Sequence, residues 1–116
     1  MTALQTETAR AICPQCGVRD HAAALDHAAV ERAAESLAAL GDPTRLGIVT
    51  LLASHDRLCV CDIAAAFPVG QPTVSHHLRV LREAGLVDVI RHGQWAYYGL
   101  RRDALKGVVS GLVALL

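Results

Sequence analysis

Apolar and polar residues alternate in several rhythms along this chain, and each rhythm predicts an element. From His21 to Leu40 the alanine-rich run HAAALDHAAVERAAESLAAL repeats its apolar residues at helical spacing, with Val30, Ala34, Leu37 and Ala38 on one stripe. This predicts a first helix, stopped by Gly41. Asp42 as N-cap and Pro43 in the first turn open a second helix through Ala53, with Ile48, Leu51 and Leu52 as its buried face. His55, Asp56 and Arg57 form a polar connector to a short third helix from Leu58 to Phe67, ended by Pro68. Val69, Gly70 and Gln71 then make a tight turn into a fourth helix, Pro72 to Ala84, with Gly85 just past its end. Two short helices joined by a glycine-containing turn outline a helix-turn-helix.

Beyond Gly85 the period shortens. In LVDVIRHGQWAYYGL, β-branched and aromatic residues flank His92-Gly93-Gln94, which predicts a β-hairpin. Trp95, Tyr97 and Tyr98 read as packing residues of that hairpin rather than as a stacking platform for single strands. Leu105, Val108, Val109, Leu112, Val113 and Leu116 then recur at helical spacing with little polar relief, so the last helix needs a partner surface. Gly107 and Gly111, one turn apart, would let another helix approach closely, which suits a homodimer. The expected fold is mainly α with a small β-hairpin, a dimeric winged helix-turn-helix. Residues 1–20, without periodicity, are expected to be a flexible arm, and 21–116 one DNA-binding and dimerisation domain.

Composition agrees with a single domain. The chain is 53% apolar but only 3% aromatic, so its core is built from Ala, Leu and Val, as packed helices allow. The formal net charge is zero, yet the charges are unevenly placed. Acids outnumber bases up to Gly70, whereas from Gln71 to Arg102 the five arginines Arg79, Arg82, Arg91, Arg101 and Arg102 face only Glu83 and Asp88. A local basic surface, doubled in a dimer, suffices for phosphate contacts. No apolar run is long enough to span a bilayer, and MTALQTETARAIC lacks the basic start and apolar stretch of a signal peptide. A cytoplasmic protein with no membrane partner and no small organic substrate is expected.

On a wheel of 100° per residue, Val74, Leu78 and Leu81 share one face of the fourth helix, and His76, Arg79 and Glu83 the other. A helix in the major groove sets its N-terminal polar residues against base edges and phosphates, which makes Gln71, Thr73, Ser75, His76 and Arg79 the contact candidates. His77 falls nearer the apolar side and reads as a packed structural residue. A solvated polar face would look alike on its own, but the hairpin tip Arg91-His92-Gly93-Gln94 follows directly. Its Arg91, His92 and Gln94 could reach the adjacent minor groove or backbone of double-stranded DNA. No catalytic constellation accompanies them: adjacent helical residues such as Ser75 and His76 point ~100° apart and make no triad.

Four cysteines stand in two close pairs, Cys13/Cys16 and Cys59/Cys61. In a reducing compartment such pairs are metal or redox ligands rather than a disulfide framework. Side chains two apart on a helix diverge by about 200°, so Cys59 and Cys61 can share an ion only if Cys59 lies in the frayed first turn. They also need further ligands, which the C-x-x-C pair of the arm can supply. Three or four thiolates select soft ions, namely As(III), Cd(II), Pb(II), Hg(II) or Zn(II), over Mg(II) and Ca(II). Cys13-Pro14-Gln15-Cys16 also has thioredoxin-type spacing, but no βαβ pattern surrounds it.

Together these residues resemble the ArsR/SmtB family of metal-responsive repressors from about Leu37 to Leu105. LAALGDPTRLGIVTLL is similar to the family's second-helix signature, LCVCDIA to its thiol metal box, QPTVSHHLRVLREAGLV to its recognition helix and RHGQWAYYGL to its wing. The resemblance implies a homodimer assembled through the first and last helices, repression without metal and release from operator DNA when a metal(loid) ion binds. The family's arsenic branch can place a third cysteine where this chain has Ala64. Its cadmium/lead branch adds an N-terminal cysteine pair from across the dimer, as Cys13 and Cys16 would. The family's second metal site, on the last helix, would fall at Arg102 and Ala104, which are not ligands. As(III), Cd(II), Pb(II) and Hg(II) all stay open as effectors, and so does a redox-sensing repressor of the same fold switched by a disulfide.

Overall fold

The computed structural model describes residues 25–116 in full and, before them, the backbone of Ile12–Cys13 and Gly17–Val18. The side chains of Cys13 and Cys16, and the expected start of the first helix at His21, lie outside the described residues. The chain divides into two units, Met1–Arg32 and Ala33–Leu116. In the first, strands β1 (Ile12–Cys13) and β2 (Gly17–Val18) pair antiparallel, with Cys13 opposite Gly17. The expected arm therefore carries a short ladder, which the absence of a repeating apolar pattern did not suggest.

Helix α1 runs over His27–Leu40 and passes from the first unit into the second. The expected apolar stripe stays at the surface, with Val30 and Leu37 exposed, and Ala39 is the residue that enters the core. Helix α2, Pro43–Ala53, starts as the sequence dictates, with the Asp42 carboxylate accepting from the amides of Thr44 (2.9 Å) and Arg45 (3.1 Å). Ile48, Val49 and Leu52 are buried, while Leu51 is only partly covered.

The expected third helix is the main correction. Leu58–Cys59 is a strand, β3, and the helix α3 covers only Val60–Ala64. Apolar runs this short do not distinguish strand from helix; what decides is Tyr97 and Tyr98, distant in sequence, whose backbone pairs antiparallel with Cys59 and Leu58.

Helix α4 spans Gln71–Glu83, followed by β4 (Val87–His92), β5 (Trp95–Leu100) and α5 (Arg102–Val113). Gly93 at φ 60° opens the two-residue connection Gly93-Gln94, a left-handed conformation suited to glycine at the first position of a type II′ hairpin turn. The hairpin is thus the larger part of a three-stranded antiparallel sheet, ordered β3-β5-β4. Tyr98 packs against the core, whereas Trp95 is 49% exposed, contrary to its expected packing role.

The core joins Ile48 and Leu52 of α2, Ile63 of α3, Val74, Leu78 and Leu81 of α4, and Leu86 and Val87 at the base of the sheet. It fixes α3 and α4 against α2. Helix α5 contributes no fully buried residue: Val109, Leu112 and Val113 are exposed, and a Cβ added at Gly107 or Gly111 would meet open space.

Candidate functional site

Helix α4 divides as its sequence predicts. Val74, Leu78 and Leu81 are fully buried, and this anchored face turns Gln71, Thr73, Ser75, His76 and Arg79 to solvent. Arg79 Nη2 lies 3.3 Å from His76 Nδ1, so these two form one exposed polar unit. His77 points elsewhere. Its Nδ1 is 3.2 Å from Arg45 Nη1 and 4.0 Å from Asp42 Oδ2, with 14% of the side chain exposed.

Arg45 also donates from Nε to the Ala39 carbonyl at 2.7 Å. One guanidinium thereby ties the end of α1 to α4. The backbone amide of Arg45, chiefly, holds the Asp42 carboxyl below its ordinary value of 3.8, with the charges of His77 and Arg45 and the Thr44 amide adding to it against desolvation. None of this Arg45–His77 network was legible in the sequence, because its members meet only after α2 and α4 have packed.

Arg91, His92 and Gln94 are exposed at the far end of the hairpin. The His92 ring stacks edge-on against Tyr97, centroids 6.2 Å apart, which limits where the imidazole can point. Several bases of the segment are already engaged: Arg101 pairs with Asp103 at 3.5 Å, and Arg102 donates to the Ala53 carbonyl at 2.9 Å. Among the described residues Arg79, Arg82 and Arg91 have no acidic partner. Within Gln71–Arg102, the arginines bound to neither an acid nor a carbonyl therefore lie on α4 and the hairpin tip.

Cys59 is at once the last residue of β3 and the N-cap of α3, in extended conformation (φ −76°, ψ 161°). It lies outside the helical spiral, so the divergence that would separate it from Cys61 does not apply. Cys61 is exposed, and the half-buried Cys59 directs Sγ to Asp62 Oδ2 at 3.2 Å. Two accessible thiols suit half of a soft-ion site. Among the described residues no three His, Cys, Asp or Glu side chains are grouped to hold a metal, so the pair needs donors from elsewhere. Ala64 ends α3, and Ala104 packs towards the core.

A helix-turn-helix with an exposed basic second helix and an adjoining β-wing defines a DNA-binding regulator rather than an enzyme. Residues 42–89 match the family model described as bacterial regulatory protein, arsR family. An HTH-type transcriptional regulator of Methanocaldococcus jannaschii is 44% identical over 80 residues, covering 69% of this chain and 90% of that protein. The arsenical resistance operon repressor of Escherichia coli is 49% identical over 61 residues, 53% of this chain and 52% of the repressor, about half its length. The homodimeric winged helix-turn-helix domain of a possible ArsR-family regulator from Mycobacterium bovis, solved in solution, superposes with a TM-score of 0.65 at 30% identity, covering 77% of this chain and 82% of that one. The chain belongs to the ArsR/SmtB family of transcriptional regulators. No helix among its described residues is long and apolar enough to cross a membrane.

Proposed function

We propose that this regulator is a metal(loid)-responsive repressor that holds double-stranded operator DNA as a homodimer and releases it when a thiophilic ion binds its cysteines. Gln71, Thr73, Ser75, His76 and Arg79 enter the major groove, and Arg91, His92 and Gln94 of the wing follow the adjacent backbone or minor groove. Homodimerisation is supported by the exposed apolar residues of α1 and α5 and by the homodimeric M. bovis relative.

One observation carries the regulatory part: Cys59 caps α3, the helix packed directly on the recognition helix. Cys59 and Cys61, completed by Cys13 and Cys16, would hold As(III), Cd(II), Pb(II) or Hg(II), any of which supplies strong bonds to thiolate sulfur. Drawing both thiols to one centre fixes the first turn of α3, and that turn positions α4. Coupling of about 1–3 kcal/mol then changes operator affinity by roughly 5- to 150-fold. The Cys59→Ser variant should bind operator like the wild type and fail to release it when the ion is added. Normal release by that variant would place the sensing site elsewhere.

A further inference from the structure

The residue that starts α3 also belongs to the wing. Cys59 pairs with Tyr97 and Leu58 with Tyr98, so β3 is hydrogen-bonded to β5, the central strand of the sheet. From there β4 and β5 are paired along their whole length, from Val87 opposite Leu100 to His92 opposite Trp95. The hairpin is a continuous ladder held at its middle, at Tyr97 and Tyr98, and its tip carries Arg91, His92 and Gln94.

Arg57, immediately before β3, reinforces that junction. Its Nη1 donates to the Tyr97 carbonyl at 3.3 Å, and its Nη2 lies 2.8 Å from Asp88 Oδ1 on β4. That oxygen is shielded from solvent and has no well-aligned hydrogen bond, so the guanidinium charge is what compensates it. The guanidinium crosses the strand at Gly99, where an added Cβ would sit 3.1 Å from the Asp56 carbonyl and 3.2 Å from Arg57 Cζ. One side chain thus holds β4 and β5 to the segment that carries Cys59.

We propose that the wing is a second output of the cysteine pair, with Arg57 as its positioning residue: a change in the backbone of Cys59 passes through the β3–β5 ladder to the wing tip, independently of the path through α3 and α4. The proposal rests on the thiol site proposed above. It gives the cysteine pair control of both DNA-contacting elements, because Cys59 is shared between the helix that positions one and the strand that positions the other.

Trp95 is the only tryptophan in the chain. It sits at the start of β5, so its emission reports on the wing. The test uses the full chain, Cd(II) as probe, and a duplex selected from random DNA by the wild-type protein. In the wild type, thiolate-to-cadmium absorption and a change in Trp95 emission should rise together, with faster amide exchange at Tyr97 and Tyr98. In Arg57→Ala and Asp88→Asn the absorption should persist, while the Trp95 response falls below about half and the Cd(II)-induced loss of DNA affinity shrinks at least about threefold.

Thiolate absorption with no change in wild-type Trp95 emission or amide exchange would overturn the wing route and leave the cysteine site standing. So would a full response in both variants. Absence of the absorption in the wild type would overturn the cysteine site and this inference with it. Even where a variant folds poorly, unchanged wild-type Trp95 emission and amide exchange on Cd(II) binding overturn the wing route.

Discussion

Asp42 shows how a single side chain serves two helices, since it caps α2 and faces His77 of α4. Because its carboxyl is held below the ordinary value in the folded chain, it stabilises the fold at any pH above that value. The contribution fades as acid carries the pH down through the lowered one. Thermal unfolding followed between about pH 5 and pH 3 should show a steeper loss in the wild type than in Asp42→Asn, which keeps a capping oxygen and does not titrate. Equal slopes would remove Asp42 from the acid response. Arg79 stands at the opposite extreme, exposed and bonded only to His76 among the described residues. Arg79→Ala should leave the melting temperature unchanged and weaken operator binding by about 1–3 kcal/mol, read from a duplex titration at fixed salt.

Among the elements, α4 was the most legible in the sequence and α3 the least. Local signals define α4: Pro72 in the first turn, Gly85 just past the end, and Val74, Leu78 and Leu81 on a single face. They placed both its ends within a residue, and they separated His77 from its exposed neighbours. The β3–α3 segment depends on partners far along the chain, and Leu58 and Cys59 became a strand because β5 offered them an edge. Val30 and Leu37 form part of a regular apolar stripe and are nevertheless exposed in this chain; periodicity says that a face wants a partner, not which one. Leu78, fully buried where α4 meets the core, gives the element its test. Leu78→Ala should destabilise the fold by about 2–5 kcal/mol in urea denaturation, with operator binding lost in proportion to the unfolded fraction.

At the scale of the molecule, Arg79, Arg82 and Arg91, unpaired with acids among the described residues, lie on α4 and the wing. Exposed apolar residues gather on α1, α5 and the segments that flank them, with Leu46, Val69, Ile90 and Trp95 elsewhere. One surface suits phosphate and the other suits a second copy, and the cysteine pair sits on the element that joins helix to sheet. The proposed chemistry is a change of local backbone at Cys59 read out by two DNA-contacting elements in each of two subunits. The most direct measurement titrates As(III), Cd(II), Pb(II), Hg(II) and Zn(II) separately into the protein–operator complex and follows the anisotropy of the labelled duplex, for the wild type and for Cys59→Ser/Cys61→Ser. At least one thiophilic ion should lower wild-type affinity by about tenfold or more while the double variant stays bound. Release by none of these ions, or equal release from both proteins, would contradict the account.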